Sequence, residues 1–266
     1  MFSLKAGPEA DVRPETPEER IIWFSITATY LFYLVGGLYV LAPVLAWSLV
    51  MRAAWLHLKG RQRFPRLPWP LWVWIIGMIV MEFSLLAGHL IENLGTGKLI
   101  KSSIGWAKGW ALLALFPLAG AVLPIRREVL IRAMCRLGFW TLCISPVLLI
   151  APYIGLPERI WTSPLKAVGG PGPEYFSVYF FTYDPASWTP RWQFYAPWSP
   201  FAALLGVTMV LFALEEKENR WRAAGLAAGT LMILASKSRM GLVGLVACTI
   251  GPRMMPLVLR SWAWAM

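Results

Sequence analysis

Apolar runs long enough to cross a lipid bilayer follow one another along most of this chain. The clearest are residues 26–50 and 69–90. A helix needs about 20 mostly apolar residues to span the hydrocarbon core, and these runs lack the alternating pattern of a membrane β-barrel. With 58% hydrophobic residues and 16 tryptophans in 266 residues, the chain has more apolar surface than one soluble core can bury. We therefore expect an all-α, polytopic bundle of transmembrane helices.

The runs divide the chain into about seven spans and a partial eighth. Residues 1–20 form a polar N-terminal tail, and spans 1–4 fall within 21–154. One long outer loop, rich in aromatic residues, occupies 155–199, and spans 5–7 with the start of the next occupy 200–266. Because the last apolar run stops at Met266, we expect the chain to be truncated.

Basic residues cluster in the short segments between the runs, which is where they orient membrane helices. Residues 52–66 carry five lysines and arginines and no acid, so this segment is predicted to be cytoplasmic and the N-terminus periplasmic. The formal charge of +11 is then explained by topology, and no nucleic-acid partner is expected. Cys135, Cys143 and Cys248 lack metal-ligand spacing and no nucleotide motif is present, so neither a metal nor a cofactor is expected.

Two ionisable residues lie inside the second span. Glu82 and His89 are seven positions apart and share one helix face with Glu92. A charged carboxylate at mid-membrane costs roughly 2.5 to 3.5 kcal/mol, so Glu82 should face protein or a water-filled cavity. One interpretation makes Glu82 and His89 weak catalytic candidates, as a general base or proton relay. The other pairs Glu82 with a basic residue of another span, or leaves it protonated and hydrogen-bonded.

The strongest candidates flank a predicted hairpin of two spans, residues 200–214 and 223–235. Because a hairpin returns to the face from which it started, Arg191 and Arg239 should be neighbours at one lipid–water boundary. Guanidinium groups suit phosphate, and Lys237 adds a third donor. In the alternative interpretation, Lys237 and Arg239 simply end a helix at the headgroups, where the helix dipole favours them.

The outer loop is crowded with aromatic residues from Tyr175 to Trp198. Such rings can stack on sugars or lie at the headgroup level, and anchoring is the preferred interpretation for most of them. Trp192 and Tyr195 lie beside Arg191 and are predicted to contact a ligand. The predicted substrate-binding residues are Arg191, Arg239, Lys237, Ser238, Trp192 and Tyr195.

Two pairs of glycines four positions apart predict close helix packing. They are Gly225 with Gly229 in the sixth span, and Gly105 with Gly109 at the start of the third. This is a packing signal and carries no chemistry.

The arrangement between residues 188 and 250 resembles the O-antigen ligase and polymerase family. Its components are Arg191-Trp192 in an outer loop, a proline-bounded helix start, two spans around a charged turn, and Ser236-Lys237-Ser238-Arg239. The resemblance implies glycosyl transfer at the periplasmic face of the bacterial inner membrane. The donor would be an undecaprenyl-pyrophosphate-linked glycan, the acceptor a glycan or lipid A core, and Arg191 and Arg239 would hold the pyrophosphate.

Three features depart from that family. The asparagine usual near the start of the fifth span is missing from Trp198-Ser199-Pro200, and Met240 stands where a small residue is common. Family members also carry a large periplasmic loop with a functional histidine, which would have to follow Met266. The resemblance therefore implies a truncated member that lacks its general base.

The leading hypothesis is a metal-independent glycosyltransferase or ligase of O-antigen or exopolysaccharide assembly, active or an inactive fragment. One alternative is a membrane transporter or channel that uses Glu82 and His89 as an ion or proton relay. Another is a non-catalytic membrane scaffold.

Overall fold

Helices make up most of the chain, as the apolar runs predict. The computed structural model describes residues 12–61, 65–170 and 172–263, with the backbone alone for 252–263. Within these residues the helices are α1 (Pro17–Thr27), α2 (Thr29–Leu34), α3 (Leu38–Leu58), α4 (Trp69–Ile91), α5 (Thr96–Lys108), α6 (Leu112–Val122), α7 (Arg127–Ile150), α8 (Ser199–Glu215), α9 (Asn219–Ala235) and α10 (Arg239–Ala263). The strands are β1 (Arg159–Thr162), β2 (Ser177–Tyr179), β3 (Phe181–Tyr183) and β4 (Pro190–Trp192).

Three helices are long and apolar enough to cross a membrane, namely α3, α4 and α7. A fourth span is formed if α5 and α6, bent by 41° at the break between them, are counted together. The seven predicted spans are therefore not found in the described residues. Helices α8 and α9 have 17 residues each and measure about 25 Å, which is less than the hydrocarbon core of about 30 Å. The long apolar helices are nevertheless those of a membrane protein.

The first apolar run forms two antiparallel helical segments, not the single span predicted for residues 26–50. Helices α1 and α2 lead up to a turn at Gly36, and α3 returns. Gly36 has φ +66°, and a Cβ there would lie 2.4 Å from Cβ of Ser163, so only glycine fits this turn. Glu18 accepts a 2.7 Å hydrogen bond from Arg52, so the start of α1 lies beside the end of α3. Glu18 and Arg52 therefore lie at the same end of the bundle, whereas the sequence predicts opposite sides for the N-terminus and residues 52–66.

Two other predicted boundaries differ from the structure. The apolar run 137–153 predicts the fourth span, but α7 begins at Arg127, so Arg132 and Arg136 belong to the helix. The sequence Gly251-Pro252-Arg253 interrupts the next apolar stretch and predicts a break between a seventh span and a partial eighth, but helix α10 continues through Pro252. Residues 264–266, the end of that predicted eighth span, lie outside the described residues.

The tightest packing joins α7, α8 and α9 through glycines. A Cβ on Gly206 would lie 2.7 Å from the Gly229 carbonyl oxygen, and one on Gly138 would lie 3.0 Å from Gly225 Cα. The predicted packing role of Gly225 and Gly229 is confirmed, because no larger residue lets these backbones meet. Gly105 differs, since nothing in the described residues lies within 4 Å of its Cβ position.

The outer loop folds into a cap over one end of the helices. Strands β1 and β2 pair antiparallel, as do β3 and β4, where Phe181 lies opposite Trp192. Phe176, Phe181 and Phe194 are fully buried beneath these strands. Membrane anchoring, which the sequence favoured for most of these rings, is therefore wrong for several of them, because they form the interior of the cap.

Indole N–H groups fasten the cap to helix ends. Trp161 Nε1 donates to the Leu34 carbonyl at the end of α2 at 2.8 Å, and Trp192 Nε1 donates to the Leu148 carbonyl of α7 at 2.9 Å. The Leu148 carbonyl has no helical partner, because residue 152 is a proline without an N–H. The cap thus donates hydrogen bonds to backbone carbonyls at the C-terminal ends of α2 and α7.

The opposite end of the bundle is held by ion pairs. Arg132 of α7 bonds both carboxylate oxygens of Glu216, at 2.9 and 3.0 Å, and contacts Glu218 at 2.9 Å. Glu19, in the first turn of α1, accepts hydrogen bonds from the backbone N–H and the guanidinium of Arg126. These contacts join α1, α7 and the α8–α9 turn.

Candidate functional site

The turn between α9 and α10 presents two basic side chains. Ser236 ends α9, and Lys237 has φ +52°, in the left-handed region. Ser238 is buried and caps α10, because its Oγ accepts from the Gly241 N–H at 3.3 Å. Arg239 is the first residue of α10, and both Lys237 and Arg239 are exposed. Ser238 therefore has a structural role as a helix cap, and its contact with a ligand stays a prediction.

Arg191 reaches this turn from strand β4. Its Nε donates to the Ser236 carbonyl at 3.2 Å, although the two residues are 45 positions apart. Its Nη1 lies 3.9 Å from Asp184, at the end of the neighbouring strand. A guanidinium at the C-terminal end of α9 is favoured by the helix dipole. The structure thus brings Arg191 to the Ser236–Arg239 segment, at the capped end of the bundle.

The cluster formed by Arg191, Lys237 and Arg239 is strongly basic, and we call it the cationic turn. Asp184 is the carboxylate in contact with it, and within the described residues neither Lys237 nor Arg239 forms an ion pair. The N-terminal end of α10, where Ser238 Oγ accepts from the Gly241 N–H, lies at the same place, and the helix dipole there also favours an anion. This geometry can bind a doubly charged phosphate group from several directions.

Asp184 was not singled out as a site residue by the sequence. It begins the connection from β3 to β4, and its carboxylate accepts a hydrogen bond from Ser187 Oγ at 2.8 Å. An Asp-Pro pair between two aromatic strands is a turn signal that could have located it.

Trp192 and Tyr195 do not line the cationic turn. They are 8% and 5% exposed, and Trp192 donates its indole proton to Leu148. The Tyr195 ring packs edge-on against Tyr30, with centroids 5.1 Å apart. Both side chains face the interior between the cap and the helices, so their contact with a ligand stays a prediction that the cationic turn does not support.

Glu82 and His89 lie on a different part of the molecule. Both belong to α4, whose main helix contacts are with α5 and α6. His89 Nδ1 lies 2.9 Å from the Leu85 carbonyl and Nε2 lies 3.1 Å from Ser102 Oγ, so a neutral ring carries its proton on Nδ1. Within the described residues Glu82 Oε2 is buried without a hydrogen-bond partner. These residues form no part of the cationic turn.

The described residues contain no group of three His, Cys, Asp or Glu side chains that could hold a metal ion. No protein-family model matches the chain, and no curated protein or solved structure matches it. The resemblance over residues 188–250 therefore rests on the residues themselves.

Proposed function

We propose that this chain is a bacterial inner-membrane protein of surface-polysaccharide assembly, and that its cationic turn binds the diphosphate of a lipid-linked glycan. The observation that carries the proposal is the 3.2 Å hydrogen bond from Arg191 to the Ser236 carbonyl. This bond holds the Arg191 guanidinium beside Lys237 and Arg239. Without Arg191, those two residues would be a pair of basic side chains at the start of a helix, with no sign of a binding site. Arginine and helix N-termini are the groups with which proteins bind phosphates.

The proposed reaction is glycosyl transfer from an undecaprenyl-pyrophosphate-linked glycan to a glycan or lipid A core acceptor. The bond between the sugar C1 and a phosphate oxygen breaks, and the diphosphate leaves with the electron pair. An acceptor hydroxyl forms the new bond to C1 and loses its proton, for which Asp184 is the carboxylate at the cationic turn. Fixed cations would stabilise the charge that grows on the leaving group.

The proposal also orients the chain. The capped end would face the periplasm, where the glycan is transferred. The start of α1 would then be cytoplasmic, together with Arg52, which pairs with Glu18. This arrangement keeps the basic segment 52–66 on the cytoplasmic side, as the positive-inside bias requires.

Binding of farnesyl diphosphate to the purified full chain in detergent tests the proposal. Arg239→Gln and Lys237→Gln should each weaken binding about tenfold or more, since a hydrogen bond to a charged group contributes about 1.5–3 kcal/mol. Lys217→Gln is the matched control, because Lys217 is also exposed, in the turn at the other end of α9. Absence of binding to the unmodified chain, or equal loss in the Lys217 variant, contradicts the proposal.

Transfer is tested separately from binding. Asp184→Asn should keep farnesyl diphosphate binding within about threefold, because it removes one charge next to Arg191 without removing a cation. The same variant should lose long-chain surface glycan in cells that depend on this chain. Normal glycan length in cells carrying Arg239→Gln would exclude the transfer function.

A proton or ion relay is the second candidate function. It is favoured by the buried Glu82 Oε2, which has no hydrogen-bond partner in the described residues, since unpartnered carboxylates in membrane helices mark ion pathways. Glu82→Gln should abolish ion flux into proteoliposomes while Arg239→Gln leaves that flux intact. If both variants leave flux and glycan length unchanged, the scaffold function remains.

A further inference from the structure

An open groove of about 880 Å³ lies between α4, α5 and the cap, away from the cationic turn. Leu85 of α4, Ile104 and Trp106 of α5, and Tyr39 at the start of α3 line it. The Trp106 indole donates to the Met78 carbonyl at 3.1 Å, which fixes α5 against α4. The groove is thus a built feature of the fold with a mainly apolar wall.

Glycines leave one side of this groove open. A Cβ added to Gly97 or Gly105 would meet nothing within 4 Å among the described residues. The pair Gly105 and Gly109, which the sequence predicted to pack against a helix, lines the groove and has no other helix of the described chain against it. A smooth apolar surface of this kind is shaped to receive an extended hydrocarbon chain.

The charge of α5 is entirely basic. It carries Lys98, Lys101 and Lys108 and no acidic residue. Lys108 Nζ donates to the carbonyls of Val168 and Gly169, at 3.0 and 2.9 Å, and so ties α5 to the cap. Lys101 also lines the groove, is exposed, and makes no hydrogen bond or ion pair within the described residues. Its ammonium group is therefore available at the mouth of the groove.

We propose that this groove binds an anionic phospholipid, with an acyl chain lying along Gly105 and the phosphate held by Lys101. An apolar slot beside a free ammonium group matches an amphipathic anion, and lysine stems extend along apolar surface to bring the charge to a headgroup. The groove surface agrees, because Ile100, which lines it, is 53% exposed. A lipid layer covers such apolar surface at the flank of a candidate membrane span.

Native mass spectrometry of the full chain, titrated with phosphatidylglycerol or phosphatidylcholine, tests this site. Lys101→Gln should weaken phosphatidylglycerol binding about fivefold and leave phosphatidylcholine unchanged. Lys98→Gln is the matched control, since Lys98 is exposed on the same helix and does not line the groove. Gly105→Phe should reduce the binding of both lipids, whereas Gly77→Phe, on an open face of α4, should reduce neither.

Equal effects of Lys101→Gln and Lys98→Gln would overturn the proposal. A dimer that dissociates in Gly105→Phe would also overturn it, because the groove would then hold a second copy of the chain. Farnesyl diphosphate binding at the cationic turn should be unaffected by Lys101→Gln. The two sites can therefore fail independently.

Discussion

The two ends of this helical bundle use charge in opposite ways. At one end, Arg132 is buried and forms ion pairs with both Glu216 and Glu218. At the other end, Lys237 and Arg239 are exposed and form no ion pair within the described residues. The charges around Arg132 are paired with one another and join helices. Lys237 and Arg239 are available to bind an external anion.

The two ends differ in how many oppositely charged partners each charged side chain has. Burial alone would raise the pKa of Glu216, but hydrogen bonds from Arg132 and from the backbone N–H groups of Lys217 and Glu218 leave the pKa below its usual value. Such a carboxylate stays ionised and is held in place. Among the residues that the structure describes, the cationic turn has one carboxylate in contact, Asp184, for three cations. Paired charges therefore stabilise the fold at the Arg132 end of the bundle. Excess positive charge marks the cationic turn, where we propose ligand binding.

The largest effect should come from breaking the buried cluster at Arg132. Arg132→Met leaves Glu216 buried without its cation and should lower the free energy of unfolding by about 3–5 kcal/mol. Unfolding in mixed micelles by SDS titration, followed by circular dichroism, measures this. Arg127→Gln is the control, because Arg127 is 76% exposed and its pair with Glu128 should contribute less than about 1 kcal/mol. A similar decrease in the free energy of unfolding in the two variants would mean that the buried ion pairs of Arg132 do not stabilise the fold.

Acid should weaken the same end selectively. Hydrogen bonds from Arg126, then those from backbone N–H groups, lower the pKa of Glu19 to about 2 from 4.5. Because the folded pKa is the lower one, this stabilisation is present above pH 4.5 and is lost as the pH falls towards 2. We expect a loss of about 1–3 kcal/mol over that window, and a smaller loss in Glu19→Gln. A pH profile that Glu19→Gln does not flatten would contradict this assignment.

At the capped end, the attachment of the cap should depend on one indole proton. Trp192→Phe keeps an aromatic side chain but removes the indole N–H, which should cost about 1–2 kcal/mol in unfolding free energy in addition to the cost of the smaller ring. Trp188→Phe, at a residue 77% exposed, should change nothing measurable. If the two variants unfold alike, the cap is held by its aromatic interior and not by its bonds to helix ends.

Part of the candidate site could be predicted from the sequence. A hairpin returns its outer flanks to the same face whatever its length, so Arg191 was correctly placed near the Ser236–Arg239 turn, although α8 and α9 are shorter than spans should be. The burial of the Trp192 and Tyr195 side chains could not be predicted from the sequence. An aromatic ring in an outer loop gives the same sequence pattern whether it faces lipid or a folded cap. Trp192 is buried through strand β4, which pairs with β3, and Tyr195 is buried where its ring packs against Tyr30.

What the sequence determined by itself is the helical, membrane-type architecture, because hydropathy is a local property that any stretch of about 20 residues carries in its composition. Tertiary structure decided at which end of the bundle α1 begins and which charges form ion pairs. Glu19 meets Arg126 from 107 positions away, and Arg132 meets Glu216 from 84. Pairings over such distances depend on how the helices pack, and no local pattern encodes them.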